Sequence, residues 1–273
     1  MIVRSRRIRI LFWTILLICI VLYAAPLLFT MNISLKSTKE FYRQPLALTS
    51  SWRFSNYSDA WTNGKLGLYM FNSIFYTVVS VFISMALTLA IAYPVSRQYI
   101  RGTKVWNNIF LCGMFLPNGL IPLFTIMLSL KLYDTRLGYL LTMTGINATA
   151  FYFFVSFIRG IPRDLDEVAV LDGCGYVRYL FTILTVLARP AIAAMSVLSA
   201  LSNWNDIINS IIFLASEENF TIMRGLYYFE GKFTSNWPLL TAGMLIIAAP
   251  IILVFICGQR FIVEGIVAGS IKG

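Results

Sequence analysis

Six long apolar runs limit the possible folds of this chain more than any other feature. The first, from Leu11 to Thr30, contains no charged residue, and about 20 apolar residues in a helix cross the hydrocarbon core of a bilayer. The other runs cover residues 70–93, 105–130, 138–158, 190–214 and 239–258. Membrane-spanning backbone has to satisfy its own hydrogen bonds. The sequence therefore predicts an all-α membrane protein with six transmembrane helices that form a single transmembrane domain over residues 1–273.

Composition excludes most other classes. The chain is 58% hydrophobic and 12% charged, whereas soluble domains carry roughly 25% charged residues. The net charge of +10 comes from short segments between apolar runs and not from a clustered basic face, so no nucleic-acid partner is expected. With no histidine and four cysteines that lack C-x-x-C spacing, we expect no metal site, no disulfide framework and no histidine-based catalysis.

The charge distribution predicts an orientation. The segments 1–10, 94–104, 159–189 and 259–273 hold 13 of the 22 lysines and arginines, which favours the cytoplasmic side for all four. A cleaved signal peptide is the alternative for the first run, but its apolar region is about 7–15 residues long, and Leu11–Thr30 is longer. We therefore predict an uncleaved first span and both termini in the cytoplasm.

A polar loop at 159–189, between the fourth and fifth spans, has a helix–glycine–helix pattern. Pro162 suits a first helical turn, where its missing N–H costs nothing. Gly173 can adopt the left-handed conformation that ends a helix, and a second helix can start at Tyr176. Carboxylates near a helix N-terminus are favoured by the helix dipole, and three of them occupy the first turn: Asp164, Asp166 and Glu167.

This loop resembles the "EAA" loop of binding-protein-dependent ABC importers. The matching residues are Glu167-Val168-Ala169, then Gly173 after three residues and Ile183 after nine more, preceded by Ile161-Pro162-Arg163. Val168 stands at the first alanine of the motif, and Thr185-Val186 stand at its Leu-Pro. The resemblance implies a cytoplasmic coupling helix that fits a cleft on an ATPase subunit. It assigns ATPase coupling to Glu167, Val168, Ala169, Asp172 and Gly173, with the small Ala169 suited to close docking.

Further strings extend the resemblance to the smaller, six-span permease of maltose-type importers. These strings are Tyr93-Pro94 with Arg97, Leu116-Pro117 with Ile121-Pro122, Ser202-Asn203-Trp204-Asn205-Asp206, and Val263-Glu264-Gly265. The family implies a second permease subunit, two ATPase subunits and an extracellular or periplasmic solute-binding protein, in a bacterial-type plasma (inner) membrane. The chain has no complete G-x-x-x-x-G-K-[S/T] motif. We therefore expect ATP and Mg on the partner ATPases and no cofactor on this chain.

Polar residues inside the apolar runs are candidates for a substrate path. Asp206 lies about 20 Å or more along the fifth span from its predicted cytoplasmic end, where an aspartate faces a cavity or caps a broken helix. Amides, carboxylates and aromatic faces bind sugars, but capping or gating explains the same residues. Prolines at 117 and 122 should break the third span, either for packing or along the path. The candidates are Asn118, Asn147, Asn203, Trp204, Asn205 and Asp206.

The sequence thus predicts a non-catalytic permease subunit that forms half of the translocation path of an importer. The expected substrate is a carbohydrate, in the first place an oligosaccharide. One alternative keeps the importer and changes the cargo to a non-sugar solute. A channel or a membrane enzyme is the other alternative, but only Asp206 is ionisable within the spans. The tail after residue 258 either reaches the ATPases or is a frayed terminus.

Overall fold

The computed structural model describes the backbone of residues 6–116, 119–233 and 235–270, and the side chains of residues 8–116, 119–233 and 235–263. Within these ranges the chain is helical and has no β-strand, which confirms the all-α prediction. A π-helical turn covers Leu180–Leu184, directly before the short helix that begins at Thr185. The helices are α1 (Arg6–Ser34), α2 (Thr38–Arg43), α3 (Ser55–Asn63), α4 (Leu66–Arg97), α5 (Thr103–Phe115), α6 (Leu120–Ser129), α7 (Arg136–Met143), α8 (Ala148–Arg159), α9 (Asp164–Leu171), α10 (Tyr176–Tyr179), α11 (Thr185–Leu187), α12 (Arg189–Trp204), α13 (Ile208–Phe213), α14 (Ile222–Phe233) and α15 (Trp237–Ser270).

Three of these helices, α1, α4 and α15, are individually long and apolar enough to cross a membrane. Three bent pairs pass the same test when each pair is taken as one span, which gives up to six spans in the described residues. The pairs are α5 with α6, α7 with α8, and the segment Tyr176–Leu187 with α12.

Several helix boundaries differ from the predicted spans. The predicted spans 11–30, 70–93 and 239–258 lie inside the longer helices α1, α4 and α15. The predicted span 138–158 is interrupted by a bend that the sequence did not indicate, because α7 ends at Met143 and α8 begins at Ala148 at an angle of 49°. The helix restarts because the Asn147 side chain accepts a hydrogen bond from the Ala150 N–H at 2.9 Å and caps α8.

The described residues fall into two compact units: one lies within residues 1–67 and 225–249, and the other within residues 68–224 and 250–273. In the first unit the segment after α1 folds around a buried lysine. Lys36 is fully buried, and its Nζ donates to the carbonyls of Gln44 and Pro45 at 2.8 and 2.9 Å. The Asn56 amide donates to the carbonyls of Ser34 and Lys36. These bonds satisfy backbone groups that no helix satisfies.

The second unit has a hydrophobic core to which α4, α8, α9, α10 and α12 contribute. The inner face of α8 is fully buried, with Phe151, Phe154 and Ile158 at 0% exposure. Ala169 of α9 and Tyr179 of α10 belong to the same core. The polar loop between the fourth and fifth predicted spans is therefore anchored on the body of its own chain.

Candidate functional site

The helix α9 has eight residues and ends in a fully bonded glycine cap. Gly173 has φ +70°, the left-handed region predicted from the sequence. The Cys174 N–H donates to the Ala169 carbonyl at 2.9 Å, and the Gly173 N–H donates to the Val170 carbonyl at 3.0 Å. This pair of bonds is the Schellman arrangement, which satisfies the last carbonyls of a helix. The cap lets the chain turn sharply before α10.

Two faces of α9 have different surroundings. Asp166 and Ala169 point into the unit, at 3% and 5% exposure. The outer face of α9, which we define as Glu167, Val168 and Leu171, is exposed, and Leu171 reaches 86%.

Four of the five residues assigned to ATPase coupling are exposed: Glu167, Val168, Asp172 and Gly173. The fifth, Ala169, is buried within this chain at 5% exposure. Its methyl group packs in the core with Tyr179 and Leu180, so its small size fits α9 against its own chain.

A buried ion pair attaches α9 to the end of α4. Arg97 Nε lies 2.7 Å from Asp166 Oδ2, too oblique for a hydrogen bond, and Nη2 donates to Oδ1 at 3.3 Å. The two side chains are 2% and 3% exposed. Arg97 Nη1 also donates to the carbonyl of Ile161 at 2.9 Å. Removing one partner of such a pair leaves a buried charge and costs about 3–5 kcal/mol.

Two tyrosines complete the bonding of the Asp166 carboxylate. The Tyr99 hydroxyl donates to Oδ2 at 3.0 Å, and the Tyr179 hydroxyl donates to Oδ1. Burial and then the hydrogen bond to Asp166 raise the pKa of the Tyr99 hydroxyl. Tyr99 therefore stays a neutral donor at physiological pH, and the two tyrosines bond the carboxylate on both oxygens.

A third contact lies at Pro94, inside α4. We predicted that the second span ends at Tyr93, but α4 continues through Pro94 to Arg97. Proline has no N–H, so the carbonyl of Ala90 lacks its usual helical partner. The Tyr176 hydroxyl donates to that carbonyl, and Tyr93 stacks on Tyr179 with ring centroids 5.1 Å apart. The helix continues past the proline because a residue of the loop replaces the missing bond.

The polar segment 203–206 lies where α12 ends. The Asn203 amide donates to Ser80 Oγ of α4 at 2.9 Å. Asp206 Oδ2 accepts from the Tyr139 hydroxyl at 3.3 Å, and Oδ1 accepts from the Asn209 N–H at 3.2 Å. Of the two roles left open for Asp206, the second bond matches helix capping, because it satisfies the start of α13.

The other predicted path residues differ in exposure. Trp204 is 5% exposed, and its indole N–H has no hydrogen-bond partner within the described residues. Asn205 is exposed, and its amide donates to the Leu201 carbonyl at 2.8 Å. Asn147 is occupied in capping α8, and Asn118 lies outside the described residues. Among these, Asn205 presents the most accessible polar side chain.

In the part of the chain that the structure describes, no three His, Cys, Asp or Glu side chains group together in a way that could hold a metal ion. The functional contacts that sequence reasoning missed are those of Arg97, Tyr99, Tyr176 and Tyr179. A signal existed for Arg97, since it is the first charged residue after the apolar run 70–93.

Comparison with known proteins agrees with this arrangement. Residues 64–267 match the family described as binding-protein-dependent transport system inner membrane component. The Bacillus subtilis protein named "Probable ABC transporter permease protein YurM" is 31% identical over 96% of this chain and 88% of its own length. The diacetylchitobiose uptake system permease protein NgcG of Streptomyces coelicolor is 28% identical over 98% of this chain and 90% of its own.

A solved structure has the same fold over nearly the whole chain. It is a chain of a bacterial ABC transporter involved in the import of the acidic polysaccharide alginate, with a TM-score of 0.83 and 26% identity. The similarity covers 95% of this chain and 98% of that one. These matches confirm the resemblance to ABC importer permeases, and the chain belongs to the family of binding-protein-dependent transport system inner membrane components.

Proposed function

We propose that this chain is the non-catalytic permease subunit of a bacterial ABC importer for a carbohydrate, and that this carbohydrate is an oligosaccharide. It forms half of the translocation path and receives the movement of the ATPases through α9. The relatives support the cargo, since one is named for diacetylchitobiose and a structural neighbour for alginate. On the path that we propose, the exposed side chain of Asn205 offers an amide for hydrogen bonding to a sugar.

The observation that carries the proposal is the outer face of α9. Leu171 and Val168 are 86% and 55% exposed on a short helix whose opposite face is anchored. Exposed apolar side chains grouped on a rigid element mark a protein-binding surface. A groove of about 460 Å³ beside this face is lined by Tyr99, Asp166, Glu167, Val170 and Leu171. We propose that an ATPase subunit covers this face, with Glu167 and Asp172 at its rim and Gly173 fixing its end.

The remaining assembly follows from the same proposal. A second, different permease subunit completes the path, two ATPase subunits bind ATP and Mg, and an extracellular or periplasmic solute-binding protein delivers the substrate. This chain itself holds no cofactor. Both termini and α9 lie in the cytoplasm, and the helices cross the plasma (inner) membrane among its lipids.

The test of the ATPase contact compares two leucines of equal exposure. Leu171 is 86% exposed on α9, and Leu46 is 82% exposed in the segment that we place outside the cell. The complex is purified from native membranes through a tag on this chain. Leu171→Asp should reduce the amount of ATPase recovered per permease, and Leu46→Asp should not. Equal recovery with both variants, or no ATPase with the unaltered chain, would refute the proposal.

A separate measurement tests the cargo. The solute-binding protein recovered with the complex is screened against a glycan array and against amino acids and phosphate esters. Binding of an oligosaccharide is the expected result. Binding of a non-sugar solute alone would refute the carbohydrate assignment and leave the importer assignment intact.

A further inference from the structure

Three contacts join the segment around α9 to the last turns of α4, and they lie before, within and after α9. Before α9, the Ile161 carbonyl accepts from Arg97 at 2.9 Å. Within α9, Asp166 pairs with Arg97 at 2.7 Å. After α9, Tyr176 donates to the Ala90 carbonyl. Because the contacts flank α9 on both sides, it cannot pivot without breaking at least one of them.

The buried ion pair is a costly way to obtain stability alone. Two charges lose their hydration on burial, and apolar residues of similar volume often give equal or greater stability. The pair instead supplies direction, since the carboxylate of Asp166 accepts from Arg97, Tyr99 and Tyr179 at defined angles. A purely apolar contact between α9 and α4 would allow sliding that these bonds prevent.

We infer that Arg97 and Asp166 are positioning residues that make α9 and α4 move as one body. A displacement of α9 is thereby transmitted to α4, a helix of 32 residues that is about 48 Å long. This inference rests on the proposed function, because it presumes that an ATPase displaces α9. In this arrangement Arg97 and Asp166 do not touch the ATPase or the substrate, and they act through the orientation of α9.

The test measures whether α9 keeps its position relative to α4 while ATP is turned over. The native cysteines are replaced, and nitroxide labels are attached at Phe82→Cys on α4 and Leu165→Cys on α9, residues that are 72% and 41% exposed. Electron–electron distances are recorded in the purified complex without nucleotide and with Mg-ATP and vanadate. Asp166→Asn is compared with Asp164→Asn, the same chemical change at an exposed residue of the same turn.

The unaltered chain and Asp164→Asn should give one narrow distance population in both conditions. Asp166→Asn should no longer give one narrow distance population when Mg-ATP and vanadate are added. The co-purified ATPases should still hydrolyse Mg-ATP when they are assayed without vanadate. A merely structural role would lower the yield and the hydrolysis together and leave the distances of the recovered complex unchanged. An Asp166→Asn complex with the distances of the unaltered chain would overturn the inference.

A second variant covers the case in which Asp166→Asn fails to assemble. Arg97→Met combined with Asp166→Leu removes both charges, and such apolar pairs often preserve stability. This double variant should assemble and still lose the single population with Mg-ATP and vanadate. If the double variant gives the distances of the unaltered chain, this inference is overturned and the proposed function is unaffected. A preparation of the unaltered chain that contains no ATPase would overturn the proposed function as well.

Discussion

Substitution of Gly173 tests the proposed coupling role of α9 and its terminal turn. A side chain at this position costs conformational energy but causes no steric clash. A Cβ added there meets no atom within 4 Å, and the backbone has φ +70°. An L-residue in the left-handed region costs about 1–2 kcal/mol, and replacing glycine recovers about 0.4–1 kcal/mol through the unfolded chain. Gly173→Ala should therefore destabilise the turn by about 1 kcal/mol, and the β-branched Gly173→Val by about 2 kcal/mol or more.

Two other glycines provide matched controls. Gly102 precedes α5 with φ +77° and also has no atom within 4 Å of an added Cβ, so Gly102→Ala carries the same conformational cost outside the loop. Gly175 has φ −69° and equal space. Gly175→Ala therefore lies near Gly173 and carries no left-handed penalty.

The assay has a local and a functional part. Amide exchange at Cys174, whose N–H donates to the Ala169 carbonyl, reports opening of the turn, and about 1 kcal/mol corresponds to roughly five-fold faster exchange in the equilibrium regime. ATP hydrolysis stimulated by the solute-binding protein reports coupling. Gly173→Ala should accelerate the exchange and reduce the stimulation, and Gly173→Val should do more of both. If Gly102→Ala reduces the stimulation as much as Gly173→Ala does, the effect is not one of the coupling loop and the reasoning is refuted.

Two further predictions concern other parts of the chain. Glu40 accepts from the Ser51 hydroxyl and from the Ser50 N–H at 2.7 Å, and these bonds lower its pKa from 4.5 to about 2. Its contribution to local stability is therefore fully present above pH 4.5 and is lost as the pH falls through about 2. The ratio of Ser50 amide exchange between Glu40→Gln and the unaltered chain should stay constant from pH 7 to pH 5, and a ratio that falls to one within that range would contradict this account. Tyr176→Phe should destabilise the protein by about 1 kcal/mol, as measured by thermal unfolding. In a Pro94→Ala background the same change should have no such effect, because the new N–H at position 94 can pair with the Ala90 carbonyl. Equal losses of stability in both backgrounds would contradict this account.

The turn between α9 and α10 was predictable because its signals are local. Pro162, the carboxylates of the first turn and Gly173 lie within a dozen or so residues, and each has a conformational preference that needs no distant partner. The break between α5 and α6 was predictable in the same way, from the prolines at positions 117 and 122 of the sequence. Such signals predict where helices begin and end, and they do not predict which face of a helix is buried.

The distinct role of Asp166 was not predictable from those signals. Asp164, Asp166 and Glu167 are equivalent carboxylates as far as the helix dipole is concerned. What separates them is the position of Asp166, three residues before Ala169 and on the same face, together with a partner, Arg97, that is 69 residues away along the chain. Sequence periodicity over eight residues is too short to decide that face.

The break at 144–147 was missed for a related reason. Thr144, Gly145 and Asn147 form a small, polar stripe, which in a membrane helix is typical of close helix packing. The same residues also suit a helix end, where Asn147 caps α8. Composition does not distinguish these two roles, and only the position of the Ala150 N–H does.

The two alanine positions of the family motif turn out to be constrained by different surfaces. Val168, at the first position, is 55% exposed on the outer face of α9, so its size is limited by whatever covers that face. Ala169, at the second, is 5% exposed in the core with Tyr179 and Leu180, where a larger residue would overpack and cost about 1–3 kcal/mol. If an ATPase covers this face, as we propose, a change at the first position can be matched by a change in the ATPase, whereas a change at the second would displace α9 from its own chain and strain the contact between Asp166 and Arg97. The difference in exposure is consistent with valine at 168 and alanine at 169 in this chain, because only the first of these side chains lies on the exposed face of α9.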